Sequence, residues 1–194
     1  MHTRSKLLVA ALIAMLALSI GAGIASANRS IQTNPGGVTR ITFRELRFSG
    51  SEGGVVITCR VVLTANLNAR IAKARGSAAG SITAVEVREC RGGAAIVRAE
   101  TLPWAVQFDS FGGTLPRITS VRLRLIRATF LLEVFGVRCR YQGNAEGITN
   151  GPEVTTLRAD ERIAIPGGGE FLCPPSGTFG GTGTVAPTQR LTLV

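Results

Sequence analysis

The sequence predicts an all-β fold, a single disulfide-bonded domain built as a β-sandwich or a barrel-like variant of one. Three observations carry this. Apolar residues recur with a period of two. Glycine and proline clusters interrupt the chain at intervals of about ten residues. Four cysteines are spread through a chain that opens with an export-type leader.

The leader comes first. Met1 to Lys6 carries Arg4 and Lys6 and no acid, and Leu7 to Ile20 is apolar apart from Ser19. Small residues follow and end in Ala25-Ser26-Ala27, ahead of Asn28-Arg29-Ser30. Charged start, apolar middle and A-x-A close predict a signal peptide over residues 1–27, cleaved before Asn28. Leu7 to Ala27 is just long enough to span a bilayer, but its small-residue end favours cleavage over anchoring. No later stretch reaches about 18 uninterrupted apolar residues, so no transmembrane span is expected after cleavage. The expectation is then a flexible segment over 28–37 and the β domain over 38–194, in a secreted or envelope-associated protein.

Alternation identifies the strands. Val55, Ile57, Cys59, Val61 and Leu63 face one way and Val56, Thr58, Arg60 and Val62 the other. Trp104, Val106 and Phe108 alternate with Ala105 and Gln107. Val121, Leu123 and Leu125 alternate with Arg122 and Arg124. Val137, Cys139 and Tyr141 alternate with Arg138, Arg140 and Gln142. Further strands are expected over 38–43, 81–87, 95–99, 130–135, 154–157, 162–165 and 177–185. The best helix candidate is Leu67 to Arg75. Gly177 to Gly183 is superficially like a nucleotide loop, but it lacks the G-x-G-x-x-G order and a following helix. It reads as a glycine-bearing edge strand or bulge.

An even cysteine count in an exported chain predicts two disulfides. No two cysteines are close enough for a zinc site. Three connectivities exist, and Cys59–Cys90 with Cys139–Cys173 is favoured because the spacings, 31 and 34 residues, are nearly equal and suggest two halves built alike.

The residues that are missing bound the chemistry. The only histidine, His2, falls in the leader, so the mature chain has no Ser-His-Asp or Cys-His centre and no histidine metal ligand. Lys73 is the only mature lysine and has no evident serine partner. The patterns G-x-S-x-G and G-x-x-x-x-G-K-[ST] are absent. A carboxylate pair from Glu86, Glu89, Asp109, Asp160 and Glu161 is the remaining route to hydrolysis. With one Trp and one Tyr, however, the chain is poor in the aromatic faces that line sugar sites. The expectation is no catalytic residue, no metal and no cofactor.

The order of Thr101-Leu102-Pro103-Trp104, Cys139-Arg140-Tyr141-Gln142-Gly143, Phe171-Leu172-Cys173 and Ser176-Gly177-Thr178-Phe179 resembles a group of small secreted bacterial four-cysteine proteins of unknown function. It is also faintly similar to the secreted alkane-oxidation activator proteins. The resemblance spans roughly Cys59 to Val185 and implies an extracellular or matrix-associated role with no established catalytic residues. The arginine content departs from that pattern.

Cleavage would remove Arg4 and Lys6 and lower the formal charge from +10 to +8. Arg122, Arg124, Arg138 and Arg140, with Arg60 beside them, are expected on outward strand faces. There they would form a basic patch fit for an anionic envelope polymer. Little aromatic interleaving argues against nucleic acid. Trp104 and Tyr141 are either core plugs or ligand anchors. The leading expectation is a non-enzymatic envelope, matrix or adhesion component. The alternative is an extracellular carrier of an apolar small molecule, and a carboxylate hydrolase is the remote third. A filled core with a flat face would favour the first, an enclosed apolar cavity the second, and a cleft holding two acids the third. The sequence carries no signal for oligomeric state.

Overall fold

The structure is a computed structural model. It describes residues 30–51, 56–114, 117–162, 164–169 and 172–194. The expected leader and its cleavage point lie outside the described residues. Among the described residues twelve strands form, with one short 3-10 turn at Ala99–Thr101. The strands are β1 (Ser30–Asn34), β2 (Gly37–Gly50), β3 (Val56–Leu67), β4 (Arg70–Ala72), β5 (Ala78–Arg91) and β6 (Ala94–Ile96). They continue with β7 (Trp104–Gly112), β8 (Ser120–Val134), β9 (Val137–Asn150), β10 (Glu153–Ala159), β11 (Ile165–Gly169) and β12 (Ser176–Leu193).

All the pairings are antiparallel. Eight strands close on themselves in the order β2, β3, β5, β7, β8, β9, β10, β12 and back to β2. The architecture is therefore the barrel of the two expected all-β forms. Closure removes the sheet edges that a sandwich leaves open. All the strands belong to one sheet, so both disulfide-closed stretches are parts of the same barrel.

The alternation read in the sequence is the inside–outside alternation of this barrel. Ile57, Cys59 and Val61 on β3, Trp104, Val106 and Phe108 on β7, and Cys139 and Tyr141 on β9 are all buried. Bulges explain where single strands had looked like two. The β8–β9 register slips between Leu125 and Ala128, where Arg127 has φ 55°. The extra residue moves the inward set from Leu123 and Leu125 to Ala128, Phe130 and Leu132, so the run appears broken although the strand is continuous.

Several expectations are corrected. Residues 30–34, assigned to a flexible lead, form β1 between β12 and β4, with Ile31 and Thr33 buried. Leu67–Arg75 is not helical. It holds the end of β3 and then β4, because pairing with β1 and burial of Ile71 outweigh local helix propensity. The glycine-rich run is bulged, between Gly180 and Gly183, but it is no edge: β12 has β2 on one side and β10 and β11 on the other. Gly181 is needed there, since a Cβ would sit 2.7 Å from the Glu45 carbonyl oxygen and its φ is +146°. Among the described residues of the strand expected over 162–165, Arg162 lies in a turn and Ile165 opens β11.

Both disulfides form with the favoured connectivity, Cys59–Cys90 and Cys139–Cys173. The first joins the adjacent strands β3 and β5. The second ties β9 to the loop between β11 and β12. Among the described residues no helix is long and apolar enough to cross a membrane.

Candidate binding site in the barrel lumen

An eight-stranded barrel is just wide enough for its own side chains to fill, or to leave room for one small ligand. Here the filling is uneven. At one level Phe48, Trp104, Phe130 and Phe179 interlock. Ring centroids lie 4.5 Å apart for Phe130–Phe179, 4.7 Å for Phe48–Phe179 and 5.0 Å for Trp104–Phe130, all tilted or edge-on. Beside this cluster is an apolar cavity of about 110 Å³ that touches all eight barrel strands. Ile41, Phe43 and Leu46 come from β2, Val61 to Leu67 from β3, and Ile82 from β5. Trp104 and Val106 belong to β7 and Leu123, Leu125 and Phe130 to β8. Ala145 and Gly147 on β9, Leu157 and Ala159 on β10 and Phe179 on β12 complete the wall.

A second apolar cavity, of about 60 Å³, lies farther along the barrel. Ile41, Leu67, Leu123 and Leu157 line both spaces and so form the layer that separates them. Its polar lining is internally satisfied: the Gln189 amide donates to Thr39 Oγ1 at 3.1 Å and its oxygen accepts from the Gly36 N–H at 2.9 Å. Trp104, 2 % exposed, is thus a core residue that also lines the larger cavity. Tyr141 is buried elsewhere, with Gly167 and Gly177 packed closely against its ring, and burial pushes its phenol above the ordinary range.

The five arginines do not make one patch. Arg122 and Arg124 project from β8 into a chain of ion pairs that crosses the outer wall. Arg75 Nε donates to Asp109 at 2.8 Å, and Asp109 also accepts from Arg124 at 3.0 Å. Arg124 donates to Glu146 at 2.9 Å, and Glu146 accepts from Arg122 at 3.1 Å. Arg122 donates to Asp160 at 2.7 Å, and Arg162 lies 3.5 Å beyond. The three acids are 7–12 % exposed. Arg138 and Arg140 sit toward the far end of β9, Arg138 on Glu133 at 3.0 Å and Arg140 beside Gln142. Arg60 is three strands away from β8 and pairs with Glu89 at 3.3 Å. For Arg60, Arg122, Arg124 and Arg138 the repulsion expected between bare guanidinium groups is thus met by acids from neighbouring segments. Glu146 was missed in the sequence, although it continues the outward set Arg138, Arg140, Gln142, Asn144.

This chain also bears on hydrolysis. Glu146 and Asp160 accept from the same Arg122 nitrogen, so two carboxylates are close together. A hydrolytic acid needs a carboxyl held above its ordinary range. Asp160 is held below it, chiefly by the Arg122 hydrogen bond, which outweighs burial. At Asp109 burial works upward, but the hydrogen bond and charge of Arg75 and the charge of Arg124 leave it lowered. Glu86 is paired with Arg88.

The lowered pair has a stability consequence. A carboxyl whose folded pKa is depressed stabilises the fold fully above the ordinary value of about 4, and that contribution is lost as pH falls through the folded value. Asp160→Asn is expected to cost about 1–2 kcal/mol at pH 7, since its arginine partners are partly exposed. It should also flatten the loss of stability between about pH 5 and pH 2. Urea titration of both proteins across that range checks it, and parallel pH curves would refute it.

No protein-family model matches the chain, nor does any curated protein or solved structure.

Proposed function

We propose that this is an exported, non-enzymatic binding protein whose barrel lumen holds a small apolar molecule. The observation that carries the reading is the 110 Å³ cavity, walled almost wholly by apolar side chains from every barrel strand. An apolar cavity of comparable size, about 150 Å³, stays dry and takes up benzene. Pockets for drug-sized ligands are several-fold larger. The ligand is therefore of about six heavy atoms, or a thin chain that reaches past the Ile41–Leu123–Leu157 layer into the second space.

Export is supported by the leader pattern and the two disulfides. Envelope docking, the other expectation, draws less support, because Arg60, Arg122, Arg124 and Arg138 are engaged by acids. Its test is retention on isolated envelope across a salt series, compared with Arg122→Gln/Arg124→Gln/Arg138→Gln/Arg140→Gln.

Benzene tests the lumen. Saturating benzene is expected to raise the unfolding temperature of the wild type through preferential binding to the folded state. Ala145→Leu places three more carbons in the cavity opposite Leu125. It should leave stability unchanged or raise it by about 1 kcal/mol while abolishing the benzene shift. An equal shift in both proteins, or none in the wild type, would overturn the reading.

A further inference from the structure

Trp104 carries an unmet group. Among the described residues, its indole Nε1 is the one fully buried side-chain nitrogen or oxygen without a hydrogen-bond partner. Buried donors are otherwise almost always paired. The side chain is 2 % exposed and lines the lumen cavity, with Nε1 itself covered by its neighbours, so an occupant reaches the N–H only as the surrounding side chains shift. Two internal remedies fail. A buried water needs two to four polar partners, and this wall offers almost none. The Phe130 ring, centred 5.0 Å from the indole, is at best a weak π acceptor.

We propose that the Trp104 indole N–H is the polar recognition group of the lumen. The ligand accordingly carries one hydrogen-bond acceptor, a carbonyl or ether oxygen, on an apolar body of about six heavy atoms. The inference rests on the reading of the lumen as a binding site and adds the chemistry of its occupant. An unpaired donor also supplies selectivity: a site that expects a hydrogen bond discriminates against an isostere unable to form one.

The test uses cyclopentanone and methylenecyclopentane, which differ only in C=O against C=CH2. Trp104 is the only tryptophan, so the protein gives a single indole N–H resonance. Titration of the ¹⁵N-labelled, disulfide-intact protein should show cyclopentanone binding about five- to tenfold more tightly, with that resonance moving downfield. Methylenecyclopentane should bind without the downfield shift. Trp104→Phe keeps the ring and removes the N–H, and should bring the two affinities together. Equal affinities in the wild type, or an indole resonance unmoved at cyclopentanone saturation, would overturn the inference and leave the lumen reading standing. Failure of both compounds to bind would overturn the two together. The wild-type resonance decides the matter even if the variant folds poorly.

Discussion

Phe130→Ala is expected to lower stability by about 3–5 kcal/mol, the range for deleting a buried aromatic ring. Phe130 is 5 % exposed, and its ring lies between Phe48, Trp104 and Phe179, with centroids at 5.9, 5.0 and 4.5 Å. It also forms part of the lumen wall. Its removal therefore forfeits three ring contacts and merges the vacated volume with an existing void, which the rigid barrel cannot collapse to fill. For a domain of this size the unfolding temperature should fall by roughly 6–20 °C. The urea midpoint should fall with an unchanged slope. Phe130→Ala with Phe179→Ala should cost less than the sum of the singles, because each removes part of the other's contact. A loss below about 1 kcal/mol for Phe130→Ala would show that the ring cluster does not hold the barrel together.

Cys59→Ala/Cys90→Ala is expected to cost about 3–4 kcal/mol, from the loop of about 30 residues that the bridge closes in the unfolded chain. That is a large share of the net stability of a domain. The native barrel should nevertheless persist. β3 and β5 are aligned by their own ladder from Thr58–Arg91 to Leu67–Gly80, and Cys59 is 1 % exposed at a position where alanine remains apolar. Near-UV circular dichroism in buffer should match the wild type while the urea midpoint drops. Loss of the native signal without denaturant would show that the bridge, rather than the ladder, holds these strands in register.

The sequence made the strand faces and the disulfides legible because both depend on local spacing. Ile57, Cys59 and Val61 point inward as their alternation requires, and the cysteines join as the spacing suggested. It could not distinguish barrel from sandwich. Closure depends on β12 reaching β2 and β10, contacts between residues more than a hundred positions apart in one case. The ion-pair chain was hidden for the same reason, since Asp109, Glu146 and Asp160 come together only through strand register. Leu67–Arg75 misled because a two-residue break between β3 and β4 imitates no strand period. The lumen was hidden too. Small inward residues such as Ala145 and Gly147 give no apolar alternation to follow, although the absence of side-chain bulk at those positions is what leaves the space.

One position in the barrel wall is shared by two short strands. Between β9 and β12, β10 pairs with Gly147–Thr149 and β11 with Cys139–Tyr141. Among the described residues, no ladder pair joins this side of β9 from Gln142 to Glu146, where the Asp160 N–H reaches the Glu146 carbonyl at 2.9 Å. Ala145, Glu146 and Gly147 on one lip and Ala159 and Phe179 across from them also line the lumen. A closed wall breathes first where the fewest backbone bonds must break, and those amides exchange with solvent soonest. The slit is thus where the wall opens at least cost. If the lumen holds a guest as proposed, the Arg122–Asp160 pair beside the slit would latch it, and the guest's dwell time would follow the strength of that latch as well as the apolar walls.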